Sequence, residues 1–305
     1  MKIVIAGGTG FIGKAVVELL LSQEHDIFVL SRSSSPNRST WPRKAAVVSW
    51  DGKTSGKWVS VLEDADAVIN FSGENISARE WTSAYKQILR DSRLDPTRAI
   101  VNAIAACRKP PRVFVNASAV GYYGDAGDSI LDETSLPGKG FLADLCVSWE
   151  RAALEAKEYG VRVIAARMGV VLGRGGVLNK LIIPFRSYVG GPLGSGRQWM
   201  PWISRKDLAA ACSFMITHND MSGPVNCVAP DLLTMNGFCV ALGAALRRPS
   251  WIRCPSFVLR AALGEMAGVV LSSQRVVPKK LLAAGFKFQQ PLVKEALLGI
   301  FGESF

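Results

Sequence analysis

The chain has 305 residues, 49% of them hydrophobic and 20% charged, with a formal net charge of +11. Length and apolar content allow one large domain or two small ones around a real core, while Cys107, Cys146, Cys212, Cys227, Cys239 and Cys254 lack the paired spacing of a zinc site or a disulfide framework. No segment reads as membrane-spanning or as a signal peptide, so a reducing, cytoplasmic compartment is expected.

Lys2 to Ala6 reads as an apolar strand, and it runs into Gly7-Gly8-Thr9-Gly10-Phe11-Ile12-Gly13 and then an amphipathic helix from Lys14. Glycines at 7, 10 and 13 let the backbone turn tightly, approach a pyrophosphate and pack the helix on the strand, with the helix N–H groups facing the phosphates. Gly7, Thr9, Gly10, Phe11, Ile12 and Gly13 are therefore expected to hold a nucleotide cofactor. The second strand, Ile27–Ser31, ends in Ser31-Arg32, 18 to 19 residues beyond the last motif glycine, where an acid would bind the ribose of NAD. A hydroxyl followed by a guanidinium suits a 2′-phosphate instead, which favours NADP(H), with Arg38 as a further candidate.

Further strands are expected near 46–50, 67–71, 112–118 and 162–167, with helices between most of them, an alternation that specifies a Rossmann-like, doubly wound parallel α/β sheet. After Arg167 the rhythm changes to Gly-rich connections at 173–176 and 190–196 and then to a largely helical stretch from Met235. The expected division is a cofactor domain over 1–167, also receiving parts of 200–230, and a smaller substrate lobe over 168–199 and 231–305. A substrate would sit in the cleft between them, over the carboxyl ends of the strands. Basic residues are spread along the chain in short clusters such as Arg247-Arg248, so anionic small molecules explain the charge as well as nucleic acid does. The expected partner is a small-molecule substrate, with no nucleic acid and no membrane. His25 and His218 stand outside any motif, and neither histidine catalysis nor a metal site is expected.

Three segments, the glycine motif, Asn70-Phe71-Ser72-Gly73-Glu74-Asn75-Ile76 and Ser118-Ala119-Val120-Gly121-Tyr122-Tyr123-Gly124, make the chain resemble the extended short-chain dehydrogenase/reductase superfamily. Trp81-Thr82, Ser92-Arg93, the run from Arg167 to Gly173, the run from Gly194 to Ile203 and Ser273 to Pro278 narrow the resemblance to its atypical "epimerase family" subgroup, over essentially the whole chain. The resemblance implies that Phe71, Ser72 and Gly73 pass under the cofactor ribose and pyrophosphate, that Arg93 holds the cofactor phosphates or an anionic substrate group, and that Val171 lines the cofactor site; Glu74, the acid nearest that loop, is a candidate base or structural hydrogen-bonding group. It also implies a substrate-facing role for Ser118, and homodimers are common among such proteins.

The superfamily's Tyr-x-x-x-Lys pair is missing. Aligned on Glu150, its positions hold Leu142 and Cys146, and leucine transfers no proton. Tyr122 and Tyr123 are the remaining candidate proton donors. Three readings follow: an NADP(H)-dependent oxidoreductase on a small molecule, an NADP(H)-binding sensor without turnover, and a nucleotide-sugar epimerase or dehydratase, against which the missing base argues.

Overall fold

A computed structural model describes residues 1–32, 41–42 and 44–302, and Arg38 lies outside them. The amino-terminal half alternates as its apolar runs require: β1 (Lys2–Ala6), α1 (Phe11–Ser22), β2 (Asp26–Ser31), β3 (Ala46–Ser49), β4 (Ala67–Asn70), α2 (Ser83–Ala106) and β5 (Val113–Ala119). A short β6 (Ile130–Leu131) precedes α3 (Phe141–Leu154) and β7 (Arg162–Met168). The chain then leaves the sheet through β8 (Val170–Leu172), α4 (Leu178–Arg186) and β9 (Trp202–Ser204), and returns with α5 (Arg205–Thr217) and β10 (Gly223–Cys227). It ends with α6 (Met235–Leu246), α7 (Ser256–Leu263), α8 (Ala267–Leu271), β11 (Arg275–Val276), α9 (Lys279–Ala283) and α10 (Val293–Phe301).

Seven strands form one parallel sheet in the order β10-β7-β5-β4-β1-β2-β3. Strand order reverses beside β1, and in such sheets ligands bind at the carboxyl ends of the strands next to that reversal. Alternate residues of one strand feed opposite cores: Ile3 and Ile5 pack with Val16 and Leu20 of α1 and Leu208 of α5, whereas Val4 and Ala6 pack with Ile100 and Ile104 of α2. Burial on both faces is why these strands are continuously apolar.

The structure adds strands that the sequence pattern leaves unmarked. β10 joins the sheet edge beside β7, and Pro224 is tolerated there because an edge strand need not donate on both sides. The pairs β8–β9 and β6–β11 are only two or three residues long, too short for periodicity to show. A separate core in the lobe gathers Leu178, Phe185, Trp202, Phe238, Leu242 and Leu297.

Candidate functional site

All seven parallel strands end at one edge of the sheet, so the turns after β1, β2, β4, β5 and β7 converge there. After β1, Gly7 takes φ +73°, and a Cβ on it would lie 2.8 Å from the Phe71 carbonyl carbon. A Cβ on Gly13 would collide with the Gly7 carbonyl oxygen and reach 2.6 Å from the Gly8 Cα. Helix α1 begins with Gly10 as its cap, no side-chain cap hydrogen bond and no acidic residue in its first turn. The N–H groups of Phe11, Ile12 and Gly13 are left uncapped beside a backbone cradle that only glycine permits, a fit for a pyrophosphate. Thr9 and Gly10 lie at the open top of that turn. Ser31 is buried at the end of β2 and Arg32 is exposed immediately after it, with no carboxylate at either position.

The Gly-rich connection of the lobe closes over this turn. The backbone of Gly173, Gly175 and Gly176 packs on the Phe11 ring, and the Arg205 guanidinium lies 5.2 Å from the same ring. Val171, half-buried on β8, pairs with Ile203. On the other side, Lys180 of α4 donates to the Ser77 carbonyl at 2.7 Å, tying the lobe to the segment that follows β4.

The loop after β4 rests on a buried polar network. Asn70 donates to Thr97 (3.0 Å) and Asn116 (2.8 Å), Trp149 Nε1 donates to Thr97 (2.9 Å), and Asn70 Oδ1 accepts the Ser72 N–H (3.0 Å). Phe71 and Ser72 are half-buried against Gly7, and Gly73 lies over the Arg93 side chain. Arg93 donates to the carbonyls of Leu89 (3.0 Å) and Glu74 (3.1 Å), faces the Trp149 ring at 5.3 Å, and forms no ion pair among the described residues. Burial lowers its pKa, as expected for a cation without a paired carboxylate. The Glu74 N–H is held by Ser92 (3.0 Å), and its carboxylate accepts from the Asn75 N–H (3.2 Å), the geometry of a loop anchor.

At the ends of β5 and β7 two of the candidate residues turn inward. Ser118 is fully buried and donates to Glu150 Oε1 at 2.6 Å. Glu150 also receives both arms of Arg167, Nε to Oε1 and Nη2 to Oε2, each at 2.8 Å. Arg167 Nη1 donates to the Tyr123 oxygen at 3.0 Å, and the Tyr123 hydroxyl is also within reach of Asn226 Oδ1 (2.7 Å) and the Asp132 carbonyl (3.0 Å). Burial pushes the Tyr123 phenol up, against the charge of Arg167. Ser118 and Tyr123 thus serve a closed internal network, in which the Ser118 proton is committed to a carboxylate. Burial disfavours charge on Arg167, but the hydrogen bonds and charge of Glu150 override it and raise its pKa. Tyr122 differs: half-buried, it stacks on the Arg167 guanidinium at 3.4 Å, and its hydroxyl has no partner among the described residues.

Cys146, in the position of the usual lysine, is 3% exposed beside Ser118, and burial followed by the Glu150 charge pushes its thiol up to about 11. Leu142 packs against Gly121. Neither side chain supplies a proton or a cation. Sequence reasoning placed Glu150 and Arg167 in motifs without giving them a role. Their signal was a charge at the end of the apolar run Val163-Ile164-Ala165-Ala166, which burial on both sheet faces forces to find a partner.

Comparison with known proteins agrees with this geometry. A profile of the NAD dependent epimerase/dehydratase family matches residues 3–227, and one for a domain of unknown function (DUF1731) matches residues 254–300. The chain is 40% identical over 297 residues to Epimerase family protein ML0860 of Mycobacterium leprae, covering 97% of this chain and 94% of that one. It is 39% identical over 302 residues to Epimerase family protein SDR39U1 of Mus musculus, covering 97% and 98%. The crystal structure of human epimerase family protein SDR39U1 (isoform2) with NADPH superposes with a TM-score of 0.89 at 34% identity over 100% of both chains. The nucleoside-diphosphate sugar epimerase of Corynebacterium glutamicum matches with a TM-score of 0.77 at 29% identity, over 99% of this chain and 58% of that one. With its glycine cradle, its Rossmann-like sheet and an amino-acid sequence that aligns along nearly its full length with these relatives, the chain belongs to the NAD dependent epimerase/dehydratase family, among its SDR39U1-like members.

Proposed function

We propose that the protein is an NADP(H)-dependent oxidoreductase acting on the carbonyl of a small molecule. The observation that carries the reading is the uncapped N-terminus of α1 over a glycine-only cradle, with Ser31-Arg32 where an NAD-binding acid would stand. The human relative solved with NADPH supports it. When bound, the nicotinamide would supply the hydride. The α1 amides and the backbone of Phe71 to Gly73 would seat the pyrophosphate and ribose, Arg32 would pair with the 2′-phosphate, and Val171 would line the cleft.

With Leu142 and Cys146 in the Tyr and Lys positions, the cation under the ribose loop is Arg93, which reaches it from α2 instead of α3. Ser118 and Tyr123 orient the site from below through Glu150 and Arg167. The carbonyl proton comes from Tyr122 or from water, since of the two phenols that follow β5 only Tyr122 has a hydroxyl without a partner among the described residues. An epimerase would need a base to oxidise a sugar hydroxyl, and the replacement of the Tyr/Lys pair argues against that chemistry.

The test is a fluorescence titration with NADPH and NADH of wild type and Arg32→Ala, followed by NADPH oxidation with aldehydes, ketones and quinones. NADPH should bind at least about tenfold more tightly than NADH, with the preference lost in the variant, because charge-assisted hydrogen bonds are worth roughly 1.5–3 kcal/mol. Equal affinity for both cofactors in wild type would refute the 2′-phosphate assignment. A second reading has its own observation, the closed network at Ser118. Tight NADPH binding without oxidation by the carbonyl panel, together with a cofactor-dependent change in lobe mobility or partner binding, would identify a cofactor-responsive binding protein.

A further inference from the structure

The charge of the chain is unevenly distributed once the fold is taken into account. Residues 168–199 and 232–264, which build much of the lobe, contain eight Lys or Arg and no Asp or Glu, and seven of the eight are arginine. The fold splices these separate segments together. Leu193 and Cys254 form a β-bridge, the amides of Trp251 and Ile252 both donate to the Gly190 carbonyl (3.1 and 3.2 Å), and the Gly194 amide donates to the Cys254 carbonyl (2.8 Å). Arg186, Tyr188 and Val189 are thereby brought beside the stretch from Arg247 to Arg253.

Apolar side chains crowd the outside of this splice. Tyr188 is 54% exposed, Val189 50%, Trp251 69% and Ile252 48%. The Trp251 Nε1 donates to the Tyr188 carbonyl at 2.8 Å, which fixes the indole with its polar atom satisfied and most of its ring in solvent. The Arg248 guanidinium lies 4.6 Å from the Tyr188 ring. Among the described residues Arg186, Arg247, Arg248 and Arg253 form no ion pair. Isolated exposed apolar residues are ordinary, but a contiguous group ringed by unpaired arginines marks an interaction surface.

Charge complementarity selects the occupant. A protein partner carries both signs, and a surface matched to it would include carboxylates. Two segments without one suit a face that is anionic throughout. A nucleic acid is such a face, but it rewards aromatic rings that stack on bases, and Val189 and Ile252 have no π-face to offer. Aliphatic side chains next to Trp and Tyr fit the boundary between headgroups and acyl chains, where arginines reach lipid phosphates. We propose that the lobe face formed by Tyr188, Val189, Trp251 and Ile252, ringed by Arg186, Arg247 and Arg248, docks peripherally on an anionic phospholipid bilayer. Docking is superficial, since no helix among the described residues is long and apolar enough to cross one.

The test is co-sedimentation of the full chain with vesicles of phosphatidylcholine alone and of phosphatidylcholine with phosphatidylserine at about three to one. Binding should require the anionic lipid and weaken with salt. Arg247→Glu/Arg248→Glu and Trp251→Ser/Ile252→Ser should each reduce it roughly tenfold or more while melting like wild type. Lys57→Glu, an exposed charge change outside the lobe, should leave it intact. Absence of binding, equal binding to neutral vesicles, equal loss with Lys57→Glu, or sensitivity of poly(U) binding alone to the patch variants would each overturn the proposal. Should a double variant fail to fold, Arg186→Glu at the exposed end of α4 provides the same reading.

Discussion

The end of β1 and the ends of β5 and β7 lie along one edge of one sheet, yet they are built in opposite ways. At β1 the surface is backbone: glycines without side chains, amides without caps, a helix end without an acid. At β5 and β7 it is side chains that satisfy one another, with Ser118, Glu150, Arg167, Tyr123 and Asn226 linked through bonds of 2.6–3.0 Å. An open set of donors waits for a ligand, whereas a closed set holds a fold together. The backbone end of the edge fits the pyrophosphate of a nucleotide cofactor, while Ser118 and Tyr123 at the other end are committed to neighbouring side chains.

The largest effect should come from opening the closed set. Arg167→Met leaves Glu150 buried without its cation and should cost about 3–5 kcal/mol in urea unfolding, and adding Glu150→Leu should recover much of that loss. A double variant no better than the single one would break the description of the pair as a self-compensating unit. Next is Gly13→Ala in the open set, where the added methyl meets backbone and costs about 1–3 kcal/mol. NADPH affinity should fall with it, and wild-type affinity would show that the cradle is not the phosphate site.

Ser118→Ala separates the two regions most sharply. It should lower stability by about 1.5–3 kcal/mol, the worth of a hydrogen bond to a charged group, and leave NADPH affinity unchanged. A loss of turnover of a hundredfold or more with stability unaltered would instead place Ser118 among the reacting groups.

The effect least visible at neutral pH concerns the thiols. Burial pushes Cys146 up to about 11 and Cys212 and Cys239 up to about 12, so these stay protonated in the fold at a pH where unfolded thiols ionise. The unfolded state then binds fewer protons, and stability should fall as pH rises above the ordinary thiol range, near 9, towards 11–12. At pH 8, alkylation read by mass spectrometry should modify Cys107 and Cys254, the two half-buried cysteines, and spare the other four. Rapid native modification of Cys146 would contradict its burial beside Ser118.

Much of the open region was legible in the amino-acid sequence because its rules are local. Glycine spacing, a strand before it and a helix after it specify the turn within thirteen residues, and the absence of an acid at Ser31-Arg32 is visible by counting. The alternation of strands and helices led to the parallel sheet, with ends misplaced by about a residue, as at Val113–Ala119. Ser118 is a candidate because its segment resembles one that faces substrate, and Tyr123 because it follows Ser118 closely and a nearby cation can acidify a phenol. What turned them inward was the pairing of Glu150 with Arg167, which no local pattern announces. The same holds for Arg93, whose position on α2 is legible but whose reach to the Glu74 carbonyl depends on how α2 packs under the loop.

The sequence by itself determined the fold class, the cofactor turn and the side chains Leu142 and Cys146 on α3, because periodicity, glycine conformation and the identity of a side chain are properties of short segments. Only the tertiary structure decided which charges are buried together, which hydroxyls are committed, and that two acid-free segments share one face. Those outcomes depend on contacts between residues as far apart as Tyr188 and Trp251 or Tyr123 and Asn226, where the cost of leaving a polar group unpaired in the core selects the partner.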